Sequence, residues 1–207
     1  MELAEFVLTH LPEPPARVLE VGCGKGELAR ALAAAGHDVL AIDPDAPAGP
    51  PFRRVTLEDL VAPEPFDAVV ASRSLHHLAD LGLAVDRIAL LLRSGGAVIV
   101  NDFAKERLAG ATAEWYYEQR RVLEAACGKA APASFHECLH EEHADIHTFA
   151  AMRSELDRRF DERFFGWLPY LHEELQGVVS AEQERALVAA GAIQATGFRY
   201  VGEDARP

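Results

Sequence analysis

The feature that most constrains this chain is a short apolar run that breaks abruptly on glycine. Arg17–Val21 (RVLEV) leads directly into Gly22-Cys23-Gly24-Lys25-Gly26. Apolar positions then recur at helical spacing over residues 28–35, until Gly36 ends them. A strand, a glycine turn and a helix in that order form the opening unit of a parallel α/β sheet. Glycines there allow a sharp turn and let a ligand approach the main chain closely.

The same rhythm continues downstream. Asp38–Ile42 (DVLAI) reads as a second strand, closed by Asp43 and Pro44, and residues 52–56 as a weaker third. Residues 66–71 (FDAVVA) form a fourth strand, followed by a helix to about Leu92. Gly95-Gly96 turn the chain into residues 97–100 (AVIV), a fifth. An opening helix over residues 2–11 carries Leu3, Phe6, Val7 and Leu11 on one face and stops at Pro12. This alternation predicts a mostly parallel sheet covered by helices on both faces.

After Phe103 the pattern changes. Residues 104–178 show helical stretches and no convincing strand, and they hold most of the aromatic residues. A helix over 181–190 and a strand over 192–201 then return to the first pattern. The expected organisation is one domain, 1–207, with residues 104–178 inserted as a helical cap.

Composition narrows the function. With 207 residues and 49% hydrophobic content, the chain can bury one substantial core. A formal charge of −13 disfavours phosphate backbones, and no basic run interrupts it, so nucleic acid is excluded as a partner. Cys23, Cys127 and Cys138 are odd in number and irregular in spacing, which fits neither a disulfide framework nor a paired zinc motif. No basic leader and no membrane-length apolar run is seen, so the chain reads as cytoplasmic. The oligomeric state is left open.

The charges around the glycines separate two ligand classes. A dinucleotide fold wants G-x-G-x-x-G with a pyrophosphate on the helix N-terminus. Here the third glycine comes one residue early and Glu27 stands in its place, while Glu20 precedes the loop. Two carboxylates would repel a pyrophosphate and favour a cationic ligand such as S-adenosylmethionine (SAM), which carries a sulfonium and an ammonium. For each residue a plainer role stands beside this one: a tight turn for the glycines, a helix cap for Asp43, a pairing with a loop amide for Glu20.

Taken as a set, Glu20 to Gly26 with Asp43, FDAVVASRSLHHLAD (66–80) and LLRSGGAVIVNDF (91–103) resemble the class I SAM-dependent methyltransferases. The resemblance implies a three-layer Rossmann-like fold with strand order 3-2-1-4-5 and a sixth strand beyond. That family ends in a two-stranded hairpin. Because only about ten residues after Ala192 look strand-like, the last strand is expected to be missing or vestigial.

The resemblance also implies a cofactor site of Glu20, Gly22, Cys23, Gly24, Gly26, Asp43, Pro44, Leu57, Glu58, Ala71 and Ser72. Gly22 to Gly26, Ala71 and Ser72 would face the methionine part, Asp43 the ribose hydroxyls, and Leu57 and Glu58 the adenine. Thr56 stands where the family often has Asp. Cys23 reads as small loop filler, since no activating base is evident. His76 either approaches the active site or, with His77, begins the next helix. Asn101 and Asp102 leave the fifth strand toward the substrate side. The implied activity is methyl transfer to an O, N or S atom of a small, apolar or aromatic acceptor, and the alternative is a non-catalytic SAM-binding regulatory module.

Within the cap, Ser134 and Glu137 form a capping-box pattern that starts a helix at Phe135. His136, His140, His143 and His147 recur along it at offsets of 4, 3 and 4. At about 100° per residue they share a stripe roughly 60° wide. The stripe is a solvated border, a source of a general base, or a set of metal ligands. His140 and His143, central to it, are the candidate base, and no metal is assigned. Tyr116 and His147 are candidate substrate-pocket residues. The cap aromatics either hold an apolar acceptor or form the cap's own core.

Overall fold

The computed structural model describes residues 1–128, 146–175 and 177–204. Seven strands form one sheet in the order β3-β2-β1-β4-β5-β7-β6. In chain order the elements are α1 (Leu3–His10), β1 (Arg17–Val21), α2 (Glu27–Ala34), β2 (Asp38–Ile42), β3 (Phe52–Arg53), β4 (Phe66–Ser72), α3 (Leu81–Leu91) and β5 (Leu92–Phe103). There follow α4 (Ala111–Ala126), α5 (Phe149–Arg159), β6 (Phe160–Leu168), α6 (Leu171–Glu174), α7 (Ala181–Ala189) and β7 (Gly197–Asp204). Among the described residues no helix is long and apolar enough to cross a membrane.

The parallel frame is the expected one. β1 pairs in parallel with β2 and β4, β2 with β3, and β4 with β5. Val18, Leu19 and Val21 of β1 and residues 68–71 of β4 are buried, as strands covered on both faces must be. α2 turns Leu28, Ala29 and Leu32 inward. It ends where Gly36 adopts φ +93° and the His37 N–H reaches back to the Leu32 carbonyl (3.2 Å), a turn only glycine enters freely. Asp80 caps α3 by accepting the Leu83 N–H at 2.9 Å.

Two expectations are corrected. The last strand is neither missing nor vestigial, because the sheet has seven strands. The strand hidden from the sequence is β6, FDERFFGWL, inside the stretch that showed no convincing strand. Its Asp161, Glu162, Arg163 and Phe164 are exposed, so no apolar alternation marks it. It lies at the sheet margin, and β7 sits between it and β5. Strand β3 is shorter than expected, with only Phe52 and Arg53.

By internal contacts the chain divides into two compact units. The first comprises Met1–Asp102, Ala150–Phe165 and Arg199–Pro207. Its core joins Phe6 and Val7 of α1 to Val18, Leu32, Val39, Val70, Ile99 and Val201. On its surface Asp86 of α3 holds Arg158 and Arg159 of α5 at 2.7 and 2.6 Å.

The second unit comprises Phe103–Phe149 and Gly166–Phe198. Its core gathers Phe103, Leu108, Tyr116, Ile146, Tyr170, Leu171 and Leu175. Trp115 and Tyr117 pack against it, so many of the aromatics fasten this unit together. Glu184, fully buried, accepts the Tyr170, Leu171 and His172 N–H groups (2.9, 3.1 and 2.8 Å) and also pairs with His172 Nδ1 (2.7 Å). That carboxylate takes up the orphan donors at the start of α6.

Candidate functional site

Within the first unit, the carboxyl ends of β1, β2 and β4 border a cavity of about 240 Å³. Gly22 contributes from the turn after β1, Asp43 and Pro44 from the end of β2, and Leu57 and Glu58 from the segment after β3. Ser74, His77 and Leu78 close it from the segment after β4. Ligands in open α/β sheets bind in this place.

Two positions of the turn require glycine. Gly22 has φ +74°, and a β-carbon there would lie 2.6 Å from Ser74 Cβ. Gly26 has φ +77°, and a β-carbon there would meet the Phe52 ring at 2.2 Å.

The turn consumes its own hydrogen-bond donors. The Ile42 carbonyl accepts the N–H groups of Gly22 (2.9 Å) and Cys23 (3.1 Å). Gly24 N–H goes to Asp43 Oδ2 (3.0 Å), and Gly26 N–H goes to the Cys23 carbonyl (2.8 Å). A phosphate-binding loop keeps such donors pointed at its ligand. This one spends four of them internally, and what it presents to the cavity is carboxylate.

Asp43 and Glu58 supply that carboxylate, while Glu20 lies buried in β1 close to Asp43. Asp43 is braced by Gly24 and by the Asp45 N–H on Oδ1 (2.8 Å). Each oxygen retains a lone pair for a further donor. Glu20 is only 3% exposed, and its Oε2 has no hydrogen-bond partner among the described residues. Burial pushes its carboxyl up to about 7; a backbone hydrogen bond from Ala29 opposes the rise and the nearby Asp43 charge adds to it. Burial and the same two acids push the Cys23 thiol up to about 11, which fits loop filler and not a nucleophile.

The remaining sequence-predicted residues are placed as follows. Ala71 and Ser72 stay in β4, Ala71 fully buried opposite Val21 and Val100, Ser72 opposite Asn101. Asn101 Nδ2 lies 3.5 Å from Ser72 Oγ, and its Oδ1 accepts the Arg199 Nε–H at 3.0 Å. Its carbonyl takes the N–H of Arg73, a non-glycine residue at φ +56° (2.8 Å).

His76, 6% exposed, bonds through Nδ1 to Asp102, which is fully buried and also accepts the Leu75 N–H at 3.1 Å. The His77 ring, not that of His76, lines the cavity, 4.0 Å from its neighbour. Burial, then His76 and Arg73, hold His77 below the usual imidazole range, with Asp102 opposing them.

Tyr116 and His147 belong to the second unit. Tyr116 is buried there and donates to Glu174 Oε2 at 2.9 Å, while His147 is half-buried. His140 and His143, with His136 and the capping box, lie outside the described residues. The sequence reading missed Ser74 and Leu78 as cavity residues. Their signal was position: both lie in the short segment that follows β4, Ser74 two residues after it and Leu78 after the turn Leu75–His77.

Residues 2–201 match the family described as a methyltransferase domain. The chain belongs to this family. Its architecture is that of the class I SAM-dependent methyltransferases. A SAM-dependent methyltransferase of Mesorhizobium loti superposes with a TM-score of 0.60 at 18% identity, covering 97% of each chain. The 1,6-didemethyltoxoflavin-N1-methyltransferase of Burkholderia thailandensis, solved with its acceptor and S-adenosylhomocysteine, gives 0.60 at 16% identity, over 98% of this chain and 76% of that one. In sequence, the chain is 36% identical over 112 residues to a ubiquinone biosynthesis O-methyltransferase of Xylella fastidiosa, covering 47% of this chain and 46% of the relative. It thus spans just under half the length of that curated relative.

The family's cofactor is SAM, and the residues around the cavity fit it. The Asp43 and Glu58 carboxylates of the cavity wall suit a ligand carrying a sulfonium, an ammonium and a ribose diol, and Glu20, with an oxygen that has no partner among the described residues, is buried in the adjoining strand. The spent loop amides leave little for a diphosphate.

Proposed function

We propose that this chain transfers a methyl group from SAM to an oxygen, nitrogen or sulfur atom of a small apolar or aromatic acceptor. The observation that carries the reading is the acid-walled cavity beside a turn whose own N–H groups are already used. The named relatives support a small acceptor: one is an O-methyltransferase of ubiquinone biosynthesis, another an N1-methyltransferase of 1,6-didemethyltoxoflavin. The net charge of −13 favours the same class over nucleic acid.

SAM supplies a methyl group on a positively charged sulfur, open to in-line attack. The protein's share is binding, orientation and exclusion of water. Asp43, held rigid by two backbone donors, accepts the ribose hydroxyls. Leu57 and Glu58 flank the adenine, with Pro44 beside them. Gly22 to Gly26, Glu20, Ala71 and Ser72 surround the methionine end. His76, Asn101 and Asp102, which follow or end β4 and β5 in the first unit, shape the acceptor side. A neutral acceptor gives up its proton to His140 or His143, whereas an anionic one needs no base.

Calorimetry with S-adenosylhomocysteine and with NAD(H) tests the reading. Wild type is expected to bind the first and not the second. Asp43→Ala, which removes two charge-assisted contacts, is expected to weaken that binding at least about tenfold. Binding of NAD(H) without S-adenosylhomocysteine refutes the proposal.

A further inference from the structure

Ser74 stands out among the cavity residues because its hydroxyl is buried without a partner among the described residues. Ser74 is 8% exposed, yet its Oγ has no hydrogen-bond partner among the described residues. It lines the cavity and packs against Gly22 of the turn, its Oγ 3.3 Å from where a β-carbon on Gly22 would stand. A buried hydroxyl without a partner carries a desolvation cost, and native structures keep few of them.

The surroundings say which kind of group this hydroxyl awaits. Glu20, Asp43 and Glu58 are acceptors when ionised, and they repel an anion. The N–H groups of Gly22, Cys23, Gly24 and Gly26 donate within the turn and its flanking strand. An amino acid bound here presents an ammonium, which the acids welcome, and a carboxylate, for which these four amides offer nothing. Ser74 Oγ–H is a buried donor at that wall that is still unspent.

We propose that Ser74 is a cofactor-positioning residue whose hydroxyl donates to the α-carboxylate of the cofactor's methionine moiety. With Glu20 on the ammonium, it reads the amino-acid end as a zwitterion and sets the direction in which the sulfur presents its methyl. This rests on the methyltransferase reading above.

The test compares wild type with Ser74→Ala by calorimetry, using S-adenosylhomocysteine and 5′-methylthioadenosine, which lacks the amino-acid part. A charge-assisted bond predicts a loss of about tenfold or more for S-adenosylhomocysteine and no change for 5′-methylthioadenosine. Thermal unfolding of the free proteins supplies the second readout: removing an unpartnered hydroxyl leaves the midpoint unchanged or raises it.

Equal losses for both ligands, no loss for either, or a lowered midpoint overturns the assignment. Failure of wild type to bind S-adenosylhomocysteine at all falls instead on the methyltransferase reading itself.

Discussion

Glu20→Gln should make the free protein more stable and the cofactor bind less well, and both effects should depend on pH. The carboxyl is 3% exposed, one of its oxygens has no partner, and it sits near Asp43. Its pKa rises from 4.5 to about 7. The folded state therefore holds this proton more tightly than the unfolded chain does. The stabilisation is complete below pH 4.5 and is lost as pH rises through 7. At about 1.4 kcal/mol per pH unit, the group's contribution falls by about 3 kcal/mol between pH 4.5 and 8.

Glutamine is nearly isosteric with the protonated acid and does not titrate. The variant should match wild type near pH 5 and exceed it by about 3 kcal/mol at pH 8. For a chain of this length that is roughly 6–12 °C in melting midpoint. Denaturant unfolding of both proteins at pH 5, 6.5 and 8 measures it directly.

The second half of the prediction concerns the ligand. A cation beside Glu20 favours the ionised carboxylate, so binding below pH 7 must expel its proton. Affinity for S-adenosylhomocysteine, which keeps the ammonium, should climb with pH toward 7 in wild type, approaching tenfold per unit, and stay flat in the variant. Parallel stability curves for the two proteins across pH 5–8 would refute the idea that an unpaired buried carboxylate is held in reserve for a cation.

Glu184→Ala strips the acceptor from three backbone N–H groups and His172 inside the second unit. A loss of roughly 3–5 kcal/mol is expected, read as a lowered unfolding midpoint with the affinity of the first unit for S-adenosylhomocysteine unchanged. Replacing both His140 and His143 by Ala should slow methyl transfer to a neutral acceptor and spare cofactor binding; unchanged rates would remove them as the base.

The frame of the fold was legible because its strands are covered on both faces and must be almost wholly apolar. RVLEV, DVLAI and FDAVVA can be little else when followed by helical periodicity. β6 was not legible for the opposite reason. At the margin of the sheet it needs few inward residues, and Asp161, Glu162 and Arg163 mask its period. The site divides along the same line. Asp43 and the glycines are placed by backbone geometry, which leaves a mark in sequence as positive-φ glycines and a strand-ending acid. Ser74 and His77 depend on how a short turn after β4 directs its side chains, and residue type alone does not reveal that.

The turn itself shows how one βα unit serves opposite ligand charges. In a dinucleotide fold the amides after the first strand face outward and the helix end meets a phosphate. Here the Ile42 carbonyl draws in the N–H groups of Gly22 and Cys23, and Asp43 draws in that of Gly24. The Ala29 amide, in the first turn of α2, is turned onto the Glu20 carboxyl. Each of these bonds takes up an amide that a phosphate would otherwise use, and the one from Gly24 braces the Asp43 carboxylate at the cavity wall. The arrangement leaves Glu20 Oε2 and Ser74 Oγ without partners, at a cost to the free protein. A ligand bearing both an ammonium and a carboxylate would relieve both costs at once, so the proposed preference for a zwitterion rests on these same two atoms.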